Sequence, residues 1–124
     1  MRILTVDDSA TMRRIISKIL RSAGYDDIVE AGDGAKAMVR MRGVDLVLLD
    51  WNMPVMDGIS FVHELRRSPQ FNHVPIIMVT TEGADKEVMK ALKAGVNDYI
   101  IKPFTPDVML KKIEGVISKI SCEG

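Results

Sequence analysis

The chain has 124 residues, 47% of them hydrophobic, which suits one domain that hides roughly two-thirds of its unfolded surface and excludes a disordered tail. Lys plus Arg and Asp plus Glu number 17 each, so a net charge of zero removes any general electrostatic pull toward nucleic acid or a membrane surface. The one cysteine, Cys122, excludes an internal disulfide, the opening MRILTVDD meets charge too soon for a signal peptide, and no apolar run approaches the roughly 20 residues of a membrane span. A reducing, cytoplasmic setting is expected.

Residues 3–6 are a short apolar run, read as a buried strand, and Asp7 and Asp8 follow it at once. Met12, Ile15, Ile16, Ile19, Leu20 and Ala23 then recur at helical spacing, with Asp8 or Ser9 as the cap and Gly24 as the end. A weaker strand at 27–30 leads to Asp33 and a helix that carries Ala37, Met38 and Met41 and closes at Gly43. The clearest strand, 45–49, runs into Asp50. A loop over 52–57 contains Pro54, and a helix over 58–67 follows with Ile59, Val62 and Leu65 on one face.

After a turn-rich connection at 69–73, the strand 75–80 ends on Thr80. A helix at 84–94, ended by Gly95, leads to the strand 97–101 and then Lys102. Pro103 breaks the pattern, and Pro106 opens a last helix with Met109, Ile113, Val116, Ile117 and Ile120 at core spacing. The nine methionines read as core filling, except Met53 and Met56, which flank Pro54 beside Asp50.

Five strand–helix units without linker, repeat or low-complexity tract argue for an α/β fold with a parallel sheet covered on both faces. In open sheets of this kind, ligands bind at the carboxyl ends of the strands. Asp7, Asp8, Asp50, Thr80 and Lys102 all stand at such ends. Three carboxylates in one pocket repel one another unless a cation joins them, so the pattern points to a divalent metal and phosphoryl chemistry.

The segments VDDS, LDWNMPVMDG, MVTTE and IKPF resemble the receiver domains of two-component response regulators, in order and spacing over nearly the whole chain. DSATMRRII and DWNMPVMDG are most similar to the single-domain chemotaxis regulators of that family. The resemblance implies a flavodoxin-like, doubly wound five-stranded parallel sheet of order 2-1-3-4-5 with five helices, residues 1–124 forming a single receiver domain. The initial Met and the short tail favour an intact single-domain protein over a piece of a longer regulator.

It further implies that Asp50 accepts a phosphoryl group from a histidine kinase, with Mg2+ as cofactor. Asp8 would ligate the metal directly and Asp7 through water or a secondary contact, while Asp50 and the backbone carbonyl of Asn52 supply further oxygens. Lys102 would pair with phosphoryl oxygens, beside a cis bond to Pro103. Thr80 would donate its hydroxyl to the phosphoryl group, and Tyr99 would move its ring between outward and inward positions. The resulting population shift would act on an output face drawn from residues 84–95, 97–101 and 108–120. Asn52 and Glu82 would tune hydrolysis, expected to be comparatively fast for a receiver. Thr81 departs from the alanine or other small residue many chemotaxis regulators carry there, which bears on kinetics.

The implied partners are a chemotaxis-type histidine kinase, a flagellar motor switch protein and a phosphatase, acting on a monomer that is not an ordinary enzyme. A phosphate sink or relay receiver in a non-motility pathway is the alternative within the class. A magnesium phosphohydrolase of haloacid-dehalogenase type is the alternative outside it. Such enzymes usually carry the nucleophile after the first strand and another Asp two residues on, whereas Asn52 stands two residues after Asp50. A flavin or nucleotide carrier lacks its phosphate-cradling turn. His63 and His73 have no matching ligand cluster for zinc, Trp51 reads as an optical probe beside Asp50, and Cys122 reads as a tail residue. The pairs Arg13–Arg14 and Lys111–Lys112 read as solvated helix faces, with a partner role left open for the lysines.

Overall fold

The computed structural model describes residues 1–50, 58–80 and 85–123, with the backbone alone at 58, 85–88 and 120–123. The elements run β1 (Arg2–Val6), α1 (Ala10–Ser22), β2 (Asp27–Ala31), α2 (Gly34–Val39), β3 (Leu46–Asp50), α3 (Gly58–Arg67), β4 (Ile76–Thr80), α4 (Asp85–Ala94), β5 (Asp98–Ile101) and α5 (Pro106–Glu123). All strand pairs are parallel, in the order β2-β1-β3-β4-β5. The α/β architecture and strand order expected from the sequence are both present.

Side chains alternate across the strands with a period of two, and this divides the core into two layers. Leu4, Val6, Val47, Leu49, Ile76 and Met78 pack with α2, α3 and α4 through Ala37, Phe61, Val62, Leu65 and Ala91. Ile3, Leu46, Leu48, Ile77, Val79 and Ile100 pack on the other face with α1 and α5 through Ile16, Ile19, Leu20, Met109, Ile113 and Val116. β3 and β4 are buried along their whole length, as continuous apolar runs in a doubly covered sheet should be.

The helix starts follow from side-chain capping. Ser9, rather than Asp8, caps α1, its hydroxyl accepting the Met12 N–H at 3.1 Å. Asp33 caps α2 by accepting the Lys36 N–H at 2.8 Å. The Thr105 hydroxyl accepts the Val108 N–H at 3.3 Å, with Pro106 at the first helical position.

Three expectations shift. α2 stops at Val39, well before Gly43: the Arg40 N–H closes its last turn on the carbonyls of Ala37 and Lys36, and Met41 drops fully into the core beyond the helix end. Asp45 lies outside β3, where its carboxylate accepts the Arg2 N–H at 2.8 Å, and Asp50 is instead the last strand residue. Ile15 is 46% exposed: it sits beside Met12, Ile19 and Phe104 on a groove of about 470 Å³ that the sheet and α5 do not cover.

Arg66 ties the far end of α4 to the sheet. Its guanidinium donates to the carbonyls of Gly95, Asn72 and Val74 and to Asn97 Oδ1, and Asn97 Oδ1 also accepts the Ile76 N–H. Gly95 makes this possible, with φ of +116° and space for no Cβ, since one would lie 2.9 Å from Arg66 Nε. Gly115, inside α5, has nothing within 4 Å of its Cβ position and no positive φ. Gly95→Ala is therefore expected to destabilise the fold by about 1–3 kcal/mol, and Gly115→Ala to stabilise it by about 0.5–1 kcal/mol. Urea unfolding of the two variants checks the opposite signs.

Candidate functional site

The site grows out of the strand alternation. Ile3 and Leu46 face the α1/α5 layer, so continuing the period of two along β1 and β3 brings Asp7 and Asp50 to that same side at the carboxyl edge. Ile100 faces the same layer, and Lys102 lies two residues further on. The registers place Val6 beside Leu49 and Asp50 beside Val79, so the ends of β1, β3 and β4 lie side by side. β5 is two strand spacings, roughly 10 Å, from β3, and the long lysine stem crosses that gap.

Lys102 Nζ lies 3.2 Å from Asp7 Oδ2 and 3.3 Å from Asp50 Oδ1. Asp7 and Asp50 are buried, at 2% and 8% exposure, while Asp8 is exposed. The other Asp7 oxygen, Oδ1, accepts the Ser9 N–H at 2.9 Å, so both oxygens of that carboxylate have partners. Asp8 has no hydrogen-bond or ion-pair partner among the described residues. One carboxylate oxygen from each of Asp7, Asp8 and Asp50 lies within 4.8 Å of the other two, and these are the only three acids or imidazoles so clustered among the described residues. A hard dication fits this all-oxygen set.

The other expected residues are spread around this centre. Thr80 is the last residue of β4, 3% exposed, and its carbonyl accepts the Lys102 N–H at 2.7 Å. The Lys102–Pro103 bond is cis. Tyr99 is half-buried in β5 and packs against the layer of α3 and α4. Asn52, Glu82, Thr81 and Trp51, and the expectations attached to them, lie outside the described residues. His63 and His73 are both exposed and distant in the fold from the acidic cluster, on α3 and in the connection before β4.

Two basic residues read from the sequence as solvated have partners and are only partly exposed. Arg13 donates to the main-chain carbonyl of Asp7 at 2.5 Å and pairs with Glu30 at 3.1 Å. Lys112 lies 3.1 Å from Asp98 and 5.0 Å from the centre of the Tyr99 ring, joining α5 to β5. Glu30 and Asp98 stand 17 and 14 residues from their partners, and the signal available beforehand was only that Arg13 follows Asp7 by six residues.

Burial first, and then the Asp7 charge, push the Asp50 carboxyl above its ordinary value; Lys102 opposes this without cancelling it. Burial pulls the Lys102 ammonium down, but Asp50 and Asp7 together outweigh it and leave its pKa raised. One ammonium serving two carboxylates is thus well stabilised itself and leaves Asp50 short of compensation. A carboxyl whose pKa is raised on folding opposes the fold once ionised. The penalty is absent below the unfolded value of 3.8, grows as pH rises through the interval up to the shifted value, and is constant above it. Asp50→Asn should raise the melting temperature of the metal-free protein at pH 7.5, and the gain should shrink as pH falls toward 4. Thermal melts across that range check this, and a lower melting temperature for the variant at pH 7.5 contradicts it.

Comparison with known proteins agrees with this geometry. Residues 3–114 match the family model of the response regulator receiver domain. A relative from Campylobacter jejuni, named a chemotaxis protein CheY homolog, is 49% identical over 100% of this chain and 98% of its own. The structure of Vibrio cholerae CheY4 is similar with a TM-score of 0.87 and 35% identity, over 93% of this chain and 97% of that one. A complex of CheX, CheY, BeF3 and Mg2+ from Borrelia burgdorferi matches with a TM-score of 0.88 and 28% identity, over 94% of this chain and 89% of that one. No described helix is long and apolar enough to cross a membrane. A buried acid pair bridged by one lysine at the edge of a 2-1-3-4-5 sheet, together with these matches, makes the chain a member of the response regulator receiver domain family.

Proposed function

We propose that the protein is a single receiver domain that accepts a phosphoryl group on Asp50 from a histidine kinase and passes the signal on by protein contact. The observation that carries this reading is the Lys102 ammonium between the Asp7 and Asp50 carboxylates, with an unpartnered Asp8 beside them. Asp8, Asp50 and the Asn52 carbonyl would hold Mg2+, and Asp7 would act through water, because both of its oxygens already have partners. When bound, the dication supplies positive charge against carboxylate repulsion and the charge of the transferring group.

Asp50 would attack phosphorus through a carboxylate oxygen, in line with the departing imidazole nitrogen of a phosphohistidine. The P–N bond breaks, its electron pair stays on the imidazole, and an acyl phosphate remains. Lys102, already within reach of Asp50, would turn to the new phosphoryl oxygens. Thr80, buried at the end of the strand beside β3, would donate its hydroxyl to one of them. Tyr99 would respond by shifting its ring population, and Asn52 and Glu82 would tune hydrolysis. The domain then acts as a switch of limited lifetime rather than a turnover enzyme.

The output face is supported by apolar side chains left exposed on α4, β5 and α5: Met89, Leu92, Ile101 and Val108. Lys111, Lys112 and Lys119 rim a groove of about 260 Å³ beside Val108 and Val116. The relatives' chemotaxis names favour a flagellar motor switch protein as the partner, and the Borrelia burgdorferi complex, in which CheX accompanies CheY, favours a CheX-type protein as a second one. A sink in a non-motility pathway would need no such contact.

Mass spectrometry after incubation with Mg2+ and a phosphoramidate is expected to find one added phosphoryl group on the wild type and none on Asp50→Asn. An unmodified wild type, or equal modification of the variant, contradicts the reading, and sustained turnover of varied phosphomonoesters would favour a phosphohydrolase. Binding of a motor-switch peptide only by the modified form separates an output regulator from a sink.

A further inference from the structure

Arg13 is the fourth residue of α1, yet its side chain is only 20% exposed. It turns back toward the acidic cluster. One terminal nitrogen donates to the Asp7 carbonyl at 2.5 Å, and Nε donates to Glu30 Oε1 at 3.1 Å. Glu30 is held on β2, where its own carbonyl accepts a hydrogen bond from Arg40. The Asp7 N–H donates to the Ala31 carbonyl at 3.1 Å, so β2 and α1 together grip both sides of Asp7.

The Asp7 carbonyl and the Asp8 nitrogen belong to one rigid plane. Fixing the oxygen fixes the direction in which Asp8 leaves the strand end. The Asp8 side chain has no bond of its own among the described residues, so its direction is set through the backbone, by this contact and by the Ser9 N–H on Asp7 Oδ1 at 2.9 Å. We infer that Arg13, aimed by Glu30, is a positioning residue for the dication site: it sets the Asp7–Asp8 peptide plane so that the Asp8 carboxylate meets those of Asp7 and Asp50. The inference rests on the proposed reading of these acids as the Mg2+ site.

Charge gives the inference a sign. As a bare cation near three carboxylates, Arg13 would compete with Mg2+, and deleting it would tighten binding. Deletion also leaves Glu30 unpaired, which adds negative charge nearby and works in the same direction. A positioning role predicts the reverse, since losing a group that orients metal ligands weakens affinity, here by about ten-fold. Lysine keeps the charge, but one ammonium does not reproduce the fork that reaches two acceptors at once. Arg13→Lys should therefore weaken binding as well, by roughly three-fold, where a charge effect alone would leave it unchanged.

Isothermal titration of the metal-free protein with Mg2+ tests this, alongside thermal melts of the same samples. Weaker Mg2+ binding by both Arg13→Met and Arg13→Lys, with Arg13→Lys the milder, is the expected result. An unchanged or tighter dissociation constant in either folded variant overturns the inference, including the case in which only the melting temperature falls. Arg13→Lys decides the matter if Arg13→Met does not fold. Phosphoryl acceptance by the wild type at saturating Mg2+ reads the underlying function separately. A wild type that binds Mg2+ and modifies Asp50 while Arg13→Lys binds Mg2+ equally well removes this inference alone. A wild type that binds no Mg2+ removes the reading beneath it.

Discussion

One ammonium shared by two buried carboxylates, with a third acid beside them, is the arrangement on which the rest depends. Lys102 offsets about half of the charge that Asp7 and Asp50 carry, and it does not reach Asp8 at all. Burial first, and then the Asp7 charge, hold the Asp50 carboxyl above its ordinary value. Ionised Asp50 therefore works against the fold, and the all-oxygen cluster it belongs to suits a hard dication.

The sheet makes this arrangement possible. In a parallel sheet every strand delivers its last residue to the same edge, and the period of two selects the face. Asp7 and Asp50 come from neighbouring strands, so they are forced close together. Lys102 comes from further away and spans the gap with a flexible stem. The apolar strands below carry the fold: Leu46 to Leu49 and Ile76 to Val79 are buried throughout. Asp50 and Thr80 are themselves strand residues, and Asp7 and Lys102 each stand one residue beyond a strand end. The same edge meets α1, whose Arg13 reaches back to the Asp7 carbonyl and links the acidic pair to β2.

Much of this was legible in the residue pattern. The alternation of short apolar runs with helical stripes announced the α/β sheet, and the charges immediately after those runs announced the site. What the pattern could not show were interactions between distant residues. The spacing of Arg13 and Lys112 on their helices says only that they lie on the surface; their bonds to Glu30 and Asp98 exist because the sheet brings β2 under α1 and β5 under α5. Helical spacing likewise assigned Ile15 to the core, where the sheet and α5 leave it half open. α2 ended early because Met41 gains more by turning into the core than by extending a short helix toward Gly43. The strand limits moved by one residue where a side chain such as Asp45 found a better partner outside the ladder.

The central claim is that these three aspartates converge on one dication. Crystals grown with Mn2+ in place of Mg2+ would test it through the metal's anomalous scattering. A single strong peak is expected at the carboxyl edge, at roughly 2.0–2.4 Å from one oxygen of Asp8 and one of Asp50. A fully occupied metal elsewhere, or an empty cluster at millimolar Mn2+ with all three carboxylates ordered, would contradict it.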